Sequence, residues 1–294
     1  MAGMKKNIYF VICLLLLLIA CNNPNYDMPG MFNGTSPEVA TRFAHSMDYN
    51  ATVGETHLSV PADYRIYVCT DSHIDSTHHN LEQFVLAYKS DSLCPVALHL
   101  GDLINAQGNY PHAYRTLRVE PTMAHRDTLF ITPGNHDIYF NQWTEYRDLF
   151  HTSVYWFDTQ DEATGKPLDL FICLDSAEGT LGTAQMKWLR NLLEEKSKVG
   201  YRHIIVFSHT HMFKQDISQG HTSNYALEET YEFTALLSKY HVDMYWCGHD
   251  HYREITRLGN TTYIIVDTCR DPEDKPFYMQ ADMGSEIHYR FIAL

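Results

Sequence analysis

Short apolar runs broken off by polar residues set the rhythm of this chain. Ile66-Tyr67-Val68-Cys69, Val96-Ala97-Leu98-His99-Leu100, Leu129-Phe130-Ile131, Leu170-Phe171-Ile172-Cys173-Leu174, Ile204-Ile205-Val206-Phe207 and Met244-Tyr245-Trp246-Cys247 have strand length and read as buried strands. Between them lie stretches with helical spacing. Asn80 to Lys89 carries Leu81, Phe84, Val85 and Tyr88 on one face, and Thr183 to Lys196 carries Met186, Leu189, Leu192 and Leu193. The first of these helices lies between two strand-like runs and predicts a βαβ crossover. Near the C-terminus, Glu254 to Leu258 and Thr261 to Asp267 flank Gly259-Asn260 as a hairpin, and Glu286 to Leu294 reads as a final edge strand. Strands alternating with helices predict an α/β domain.

The residues that end five of these runs carry chemistry. They are Asp71-Ser72-His73, Gly101-Asp102, Gly134-Asn135-His136-Asp137, Ser208-His209 and Gly248-His249-Asp250-His251. Gly-Asn-His-Asp by itself is ordinary turn chemistry in a chain with 18 histidines. Five such endings together imply one pocket, because ligands in open α/β sheets bind outside the carboxyl ends of the strands. Oxygen and imidazole donors without thiolate suit Mn, Fe or Zn. Asp71, His73, Asp102, Asn135, His209, His249 and His251 are too many ligands for one ion and fit two adjacent ions sharing a carboxylate.

Taken in order, the blocks D-x-H, G-D, G-N-H-D, H and G-H-x-H resemble the calcineurin-like metallophosphoesterase family, from about Ile66 to His251. The resemblance implies a four-layer α/β/β/α sandwich that hydrolyses a small phosphate ester, mono- or diester, by a hydroxide held between two divalent metal ions. It implies one ion on Asp71, His73 and His251, a second on Asn135, His209 and His249, and Asp102 bridging them. His136 corresponds to the family's catalytic histidine, a non-ligand that gives a proton to the leaving group. Gln185, Trp188 and Leu189 also resemble the family and carry a structural role.

Two positions depart from that pattern. Asn105 stands where many members have the Asp that orients the catalytic histidine; its amide oxygen can accept the imidazole N–H but brings no negative charge. The purple acid phosphatase branch has a ligating Tyr at this position, so Asn105 argues against that branch. His211 stands where relatives usually continue with Pro, and either contacts substrate phosphate or is solvated or outside the ligand set. Asp75, His78 and His79 are expected to be solvated loop residues. Tyr139, Phe140 and Trp143 are candidates to stack on a base or aromatic leaving group, with plain packing the weightier reading. The loops Tyr139 to Gly165 and Met212 to Asn224 are expected to carry selectivity.

Composition narrows the partners. The formal net charge of −14, with no block of Lys and Arg, makes a nucleic-acid duplex or an anionic bilayer surface a poor partner by field alone. Lys5 and Lys6 precede the apolar run Ile8 to Ile19, the pattern of a cleaved secretory signal over residues 1–20, too short to span a bilayer. Leu18-Ile19-Ala20-Cys21 resembles a bacterial lipobox, which implies a lipidated Cys21 and an exported protein tied to the lipid bilayer of the cell envelope. Residues 21–62 read as a tether, with a short helix from Ser36-Pro37-Glu38 through Met47, and 63–294 as the domain. Cys69, Cys94, Cys173, Cys247 and Cys269 read as small buried hydrophobes, an odd count that assigns no disulfide. Two rival readings remain: a non-catalytic, His-rich metal-binding surface lipoprotein, which needs the ligands but not His136, and an ion-dependent carbohydrate-binding module, which would favour an exposed aromatic groove.

Overall fold

The computed structural model describes residues 38–74, 79–105, 129–139, 142–213, 225–271 and 276–294. The leader, Cys21, Asp75, His78, Phe140 and residues 214–224 of the second selectivity loop lie outside them.

Two mixed sheets face each other. The five-stranded sheet has the order β12 (Ile287–Ala293), β11 (Phe277–Met283), β2 (Tyr64–Cys69), β3 (Val96–His99), β4 (Leu129–Ile131). The seven-stranded sheet runs β1 (Thr56–Val60), β5 (Tyr155–Asp161), β6 (Pro167–Cys173), β7 (His203–Phe207), β8 (Met244–Cys247), β10 (Thr261–Ile265), β9 (Glu254–Leu258). The predicted βαβ unit is present: α2 (His79–Ser90) crosses between β2 and β3, which pair in parallel from Ile66↔Val96 to Cys69↔His99. The hairpin β9–β10 is antiparallel and β12 is an edge strand, both as the sequence predicts.

The apolar runs are continuous because both faces of each strand are covered. Along β2, Tyr64, Ile66 and Val68 enter the core between the sheets, where they join Phe157, Phe171, Ile205, Phe207 and Trp246. The alternate residues Tyr67 and Cys69 pack instead with Leu81, Phe84, Val85 and Tyr88 of α2. On the far side, Leu170 and Ile172 of β6 and Val206 of β7 pack with Leu189 and Leu193 of α5 (Gly182–Lys196) and Phe233 and Leu237 of α6 (Leu227–Lys239). These layers make the four-layer α/β/β/α sandwich. No helix among the described residues is long and apolar enough to cross a membrane.

The expected tether needs correction over its described part. Residues 39–60 form α1 (Val39–Val53), longer than the helix read to Met47, and β1, which pairs in parallel with β5 from Thr56↔Phe157 to Val60↔Asp161. Arg42 of α1 is fully buried against Asp175, and Phe43 meets Trp188 of α5 edge-on at 6.2 Å. α1 and β1 therefore belong to the folded unit. Cys69, Cys94, Cys173, Cys247 and Cys269 are buried, as the sequence reading has them, and are free thiols.

Candidate metal centre

The five motif-ended strands β2, β3, β4, β7 and β8 run parallel within their sheets, so their C-terminal ends deliver the motifs to one rim of the sandwich. There the chain turns sharply. Asp71, His73, Asp102, His249 and His251 all take left-handed backbone, with φ of 53°, 42°, 53°, 75° and 56°. Non-glycine residues rarely accept this, at a cost on the order of 1–3 kcal/mol each, and tend to do so at functional sites.

The side chains gather into three overlapping triples: Asp71, His73 and His251; Asp102, His209 and His249; and His73, Asp102 and His136. In the first, Asp71 Oδ1 is 3.3 Å from His251 Nε2 and 3.7 Å from His73 Nε2, and those two nitrogens are 3.0 Å apart. In the second, His209 Nε2 is 3.3 Å from Asp102 Oδ2, 3.2 Å from Asn135 Oδ1 and 3.2 Å from His249 Nδ1. Asp102 Oδ2 also lies 3.7 Å from His73 Nε2, so this oxygen stands between both groups.

Each carboxylate is tied at one oxygen and open at the other. Asp71 Oδ2 accepts from Thr70 Oγ1 (2.6 Å) and His249 N (2.9 Å), while its buried Oδ1 has no hydrogen-bond partner among the described residues. Asp102 Oδ1 accepts the His136 N–H at 2.8 Å, leaving Oδ2 toward the imidazoles. His209 Nδ1 donates to Leu100 O at 2.7 Å. Its Nε2 therefore faces two oxygens and another nitrogen, an arrangement that positive charge at their centre, a proton or a metal ion in its place, makes favourable. Hard oxygens and imidazoles fit a divalent ion at each group.

The electrostatics carry the same demand. Burial favours the neutral form of Asp71 and Asp102, yet both are held well below the usual carboxylate range, Asp71 by His251, His73 and His209 and Asp102 by His209, His136 and His73. Burial opposes charge on His209, but Asp102 and Asp71 outweigh it and push the imidazole up to about 10. Burial pushes His249 down to about 4, with His209 adding to the effect.

Glycine supplies the clearance. A Cβ on Gly248 would lie 2.0 Å from Thr70 Oγ1 and 2.5 Å from Asp71 Oδ2. One on Gly134 would lie 2.1 Å from Asp102 Oδ1.

The structure brings together all seven candidate ligands and His136, whose ring stands at 4.6 Å and near right angles to that of His73. His136 Nδ1 is buried with no hydrogen-bond partner among the described residues, and the Asn105 N–H bonds Ile74 O at 3.1 Å beside the short bridge between Ile74 and Ile104. His211 is buried rather than solvated, with Nδ1 3.3 Å from Asp250 Oδ2. Tyr139 and Trp143 are buried in the core beneath α2, which supports packing over stacking on substrate. Two supporting residues have no role assigned from sequence. Asp137 accepts N–H bonds from Gly134 (2.8 Å) and Leu103 (3.1 Å), tying the β3 and β4 loops; burial and the neighbouring Asp102 push its carboxyl up to about 6 against those donors. Ser176 Oγ accepts the N–H groups of His209 and Thr210 at 3.1 and 2.8 Å. Position three after Gly134 is a helix-capping place, a signal that could have found Asp137; a lone Ser after a strand offers none.

Two facing sheets thus carry along one rim the loops whose residues could hold metal ions. Over residues 64–253 the sequence matches the model of the calcineurin-like phosphoesterase family, and the chain belongs to that family. No curated protein matches it. Solved structures with this fold include PhoD, with a TM-score of 0.58 at 9% identity over 82% of this chain and 70% of that one. GAP50, the anchor in the inner membrane complex of Plasmodium, gives 0.55 at 14% identity over 79% of this chain and 85% of that one. Purple acid phosphatase PPD1 from yellow lupin (Lupinus luteus) gives 0.55 at 13% identity over 78% of this chain and 52% of the other, so the chain spans about half the lupin enzyme's length. At such identities the likeness concerns the fold alone.

Proposed function

We propose that the protein hydrolyses a small phosphate ester, mono- or diester, with two divalent ions drawn from Mn, Fe or Zn. Asp71, His73 and His251 would hold one ion, Asn135, His209 and His249 the other, and Asp102 both. The observation that carries this reading is the half-tied state of Asp71 and Asp102, each with one oxygen fixed by the protein and one facing imidazole nitrogens. Bound there, the ions supply Lewis acidity toward the phosphoryl oxygens and lower the pKa of water. The protein's part is to orient and to move protons. His136, fixed at its backbone by Asp102, presents its ring beside His73 to donate a proton to the departing oxygen. The leader and Cys21 add the proposal of an exported protein, lipid-anchored at the bacterial cell envelope.

The family membership and the place of His136 favour catalysis over mere metal storage, which would not need that histidine. Turnover decides between them. Metal-loaded protein is expected to cleave p-nitrophenyl phosphate or bis(p-nitrophenyl) phosphate and to lose that activity on chelation. Activity that survives exhaustive chelation, or two bound ions with no turnover of either ester, would overturn the proposal.

A further inference from the structure

The family match begins at residue 64, yet a line of buried polar contacts runs from α1, which lies before it, to a metal ligand. Arg42 has no exposed surface. Its Nε and Nη2 each lie 2.8 Å from a different oxygen of Asp175, and its Nη1 is 3.1 Å from Glu178. Asp175 follows β6, and its main chain is gripped on both sides by Gln185, which accepts the Asp175 N–H at 2.8 Å and donates to its carbonyl at 2.9 Å. The next residue is Ser176. Its Oγ accepts the N–H groups of His209 and Thr210, and its carbonyl accepts Thr210 Oγ1 at 2.8 Å. His209 in turn points its Nε2 at Asp102, Asn135 and His249.

Docking α1 does not by itself call for this arrangement. The helix already has the Phe43–Trp188 contact and a bond from Val39 N to Glu178 Oε2 at 3.0 Å. A buried ion pair adds little net stability over apolar packing, because desolvation offsets the attraction; what a two-pronged arginine does supply is fixed geometry. The geometry it fixes here is that of residues 175–176, on which the His209 loop is hung.

We propose that Arg42 is a positioning residue for the metal centre: acting through Asp175 and Ser176, it sets the His209 main chain, so that a helix outside the family-matched segment completes the second ion's site. This rests on the reading of His209 as a ligand. Outer contacts of this kind change metal affinity by roughly 10–100-fold when removed.

The test is Mn2+ titration of the metal-free full chain by calorimetry, with ion content by elemental analysis, for wild type, Arg42→Met, Arg42→Lys, Ser176→Ala and the double variant Arg42→Met/Ser176→Ala. Each single change is expected to weaken the second ion's binding by about tenfold or more while leaving the first ion's binding in place. Arg42→Lys keeps the charge but not the fork and should fall between wild type and Arg42→Met. Because both residues act along one line, the double variant should be no worse than the weaker-binding single. Second-ion affinity unchanged in Arg42→Met, or losses that multiply in the double variant, would overturn the proposal. Should Arg42→Met fail to fold, Ser176→Ala and Arg42→Lys decide, and wild-type affinity in both would sink it. A wild-type chain that takes up fewer than two ions would instead overturn the site assignment beneath it.

Discussion

Replacing Gly134 with alanine tests the centre at its tightest point. The residue has φ −99° and ψ −178°, extended backbone open to any L-residue, so the change brings no backbone strain and its effect is steric. The new Cβ would lie 2.1 Å from Asp102 Oδ1, 2.3 Å from Asp102 N and 2.7 Å from Asp102 Cγ. Comfortable contact is about 3.5 Å, so the two loops must part by more than about 1 Å. Neither has an easy retreat. Asp102 would give up the His136 N–H at 2.8 Å, and Gly134 would give up its bond to Asp137 at 2.8 Å. Since Asp102 Oδ2 stands between both ligand groups, the retreat would remove a donor from both proposed ions, and a misplacement of about 1 Å costs on the order of 10²-fold in rate. Desalted Gly134→Ala protein is expected to hold fewer than two ions by elemental analysis and to cleave bis(p-nitrophenyl) phosphate at least about 100-fold more slowly, with its circular dichroism spectrum retained. Gly165→Ala is the control, because nothing lies within 4 Å of a Cβ there; its φ of 69° costs some stability but should leave ion content alone. Two bound ions and a rate within about threefold of wild type in Gly134→Ala would refute the bridging assignment.

Three further outcomes are expected. His136→Ala should keep both ions and lose roughly 10²–10⁴-fold with an alkoxide leaving group but less with p-nitrophenolate, measured across an ester series; lost metal would make His136 a ligand, and equal losses would assign it to substrate binding. The His209 imidazole, raised above its ordinary 6.5 to about 10, holds a proton at neutral pH that a metal ion must displace, so apparent metal affinity should climb by about tenfold per pH unit toward that value. Affinity that stays flat across about pH 6–8, by calorimetry, would contradict this proton competition. Radioactive palmitate should label the precursor in a bacterial host and fail to label Cys21→Ser; equal labelling would contradict the lipobox reading.

What the sequence made legible was local. The ligand motifs could be read because each sits within four residues at the end of a strand whose burial on both faces makes it a plain apolar run, as in β2 and β8. The parts that escaped depend on partners far along the chain. β11 was not read because Gln280 and Asp282 interrupt it; Gln280 is nonetheless buried, and its side chain bonds Asp282 and Arg290. β1 is a strand by virtue of pairing with β5, about a hundred residues away, and its own sequence Thr-His-Leu-Ser-Val has only weak alternation. Arg42 would pass for a solvated helix position until Asp175, 133 residues on, is brought against it. Spacing places Asn105 where an orienting group belongs, and in the turn after β3 its main chain bonds Ile74.

The tetrapeptide at the middle of the chain shows how four adjacent residues serve one site without competing for it. Residues 135–138 form a single helical turn, α3 (Asn135–Ile138), which directs successive side chains roughly 100° apart. Asn135 therefore faces His209, with Oδ1 3.2 Å from Nε2, while His136 swings to the side of His73 and Tyr139. Asp137 points inward, where it ties Gly134 to Leu103 and so fixes the spacing of the two loops. Gly134 precedes the turn and has no side chain at the place where Asp102 must pass. A strand continued through these positions would send Asn135 and Asp137 to one face and His136 to the other, giving a ligand and a brace in the same place. The Thr132-Pro133 break after β4 prevents that continuation, and the proposed ligand, the proposed proton donor and the brace separate because the chain turns helical there.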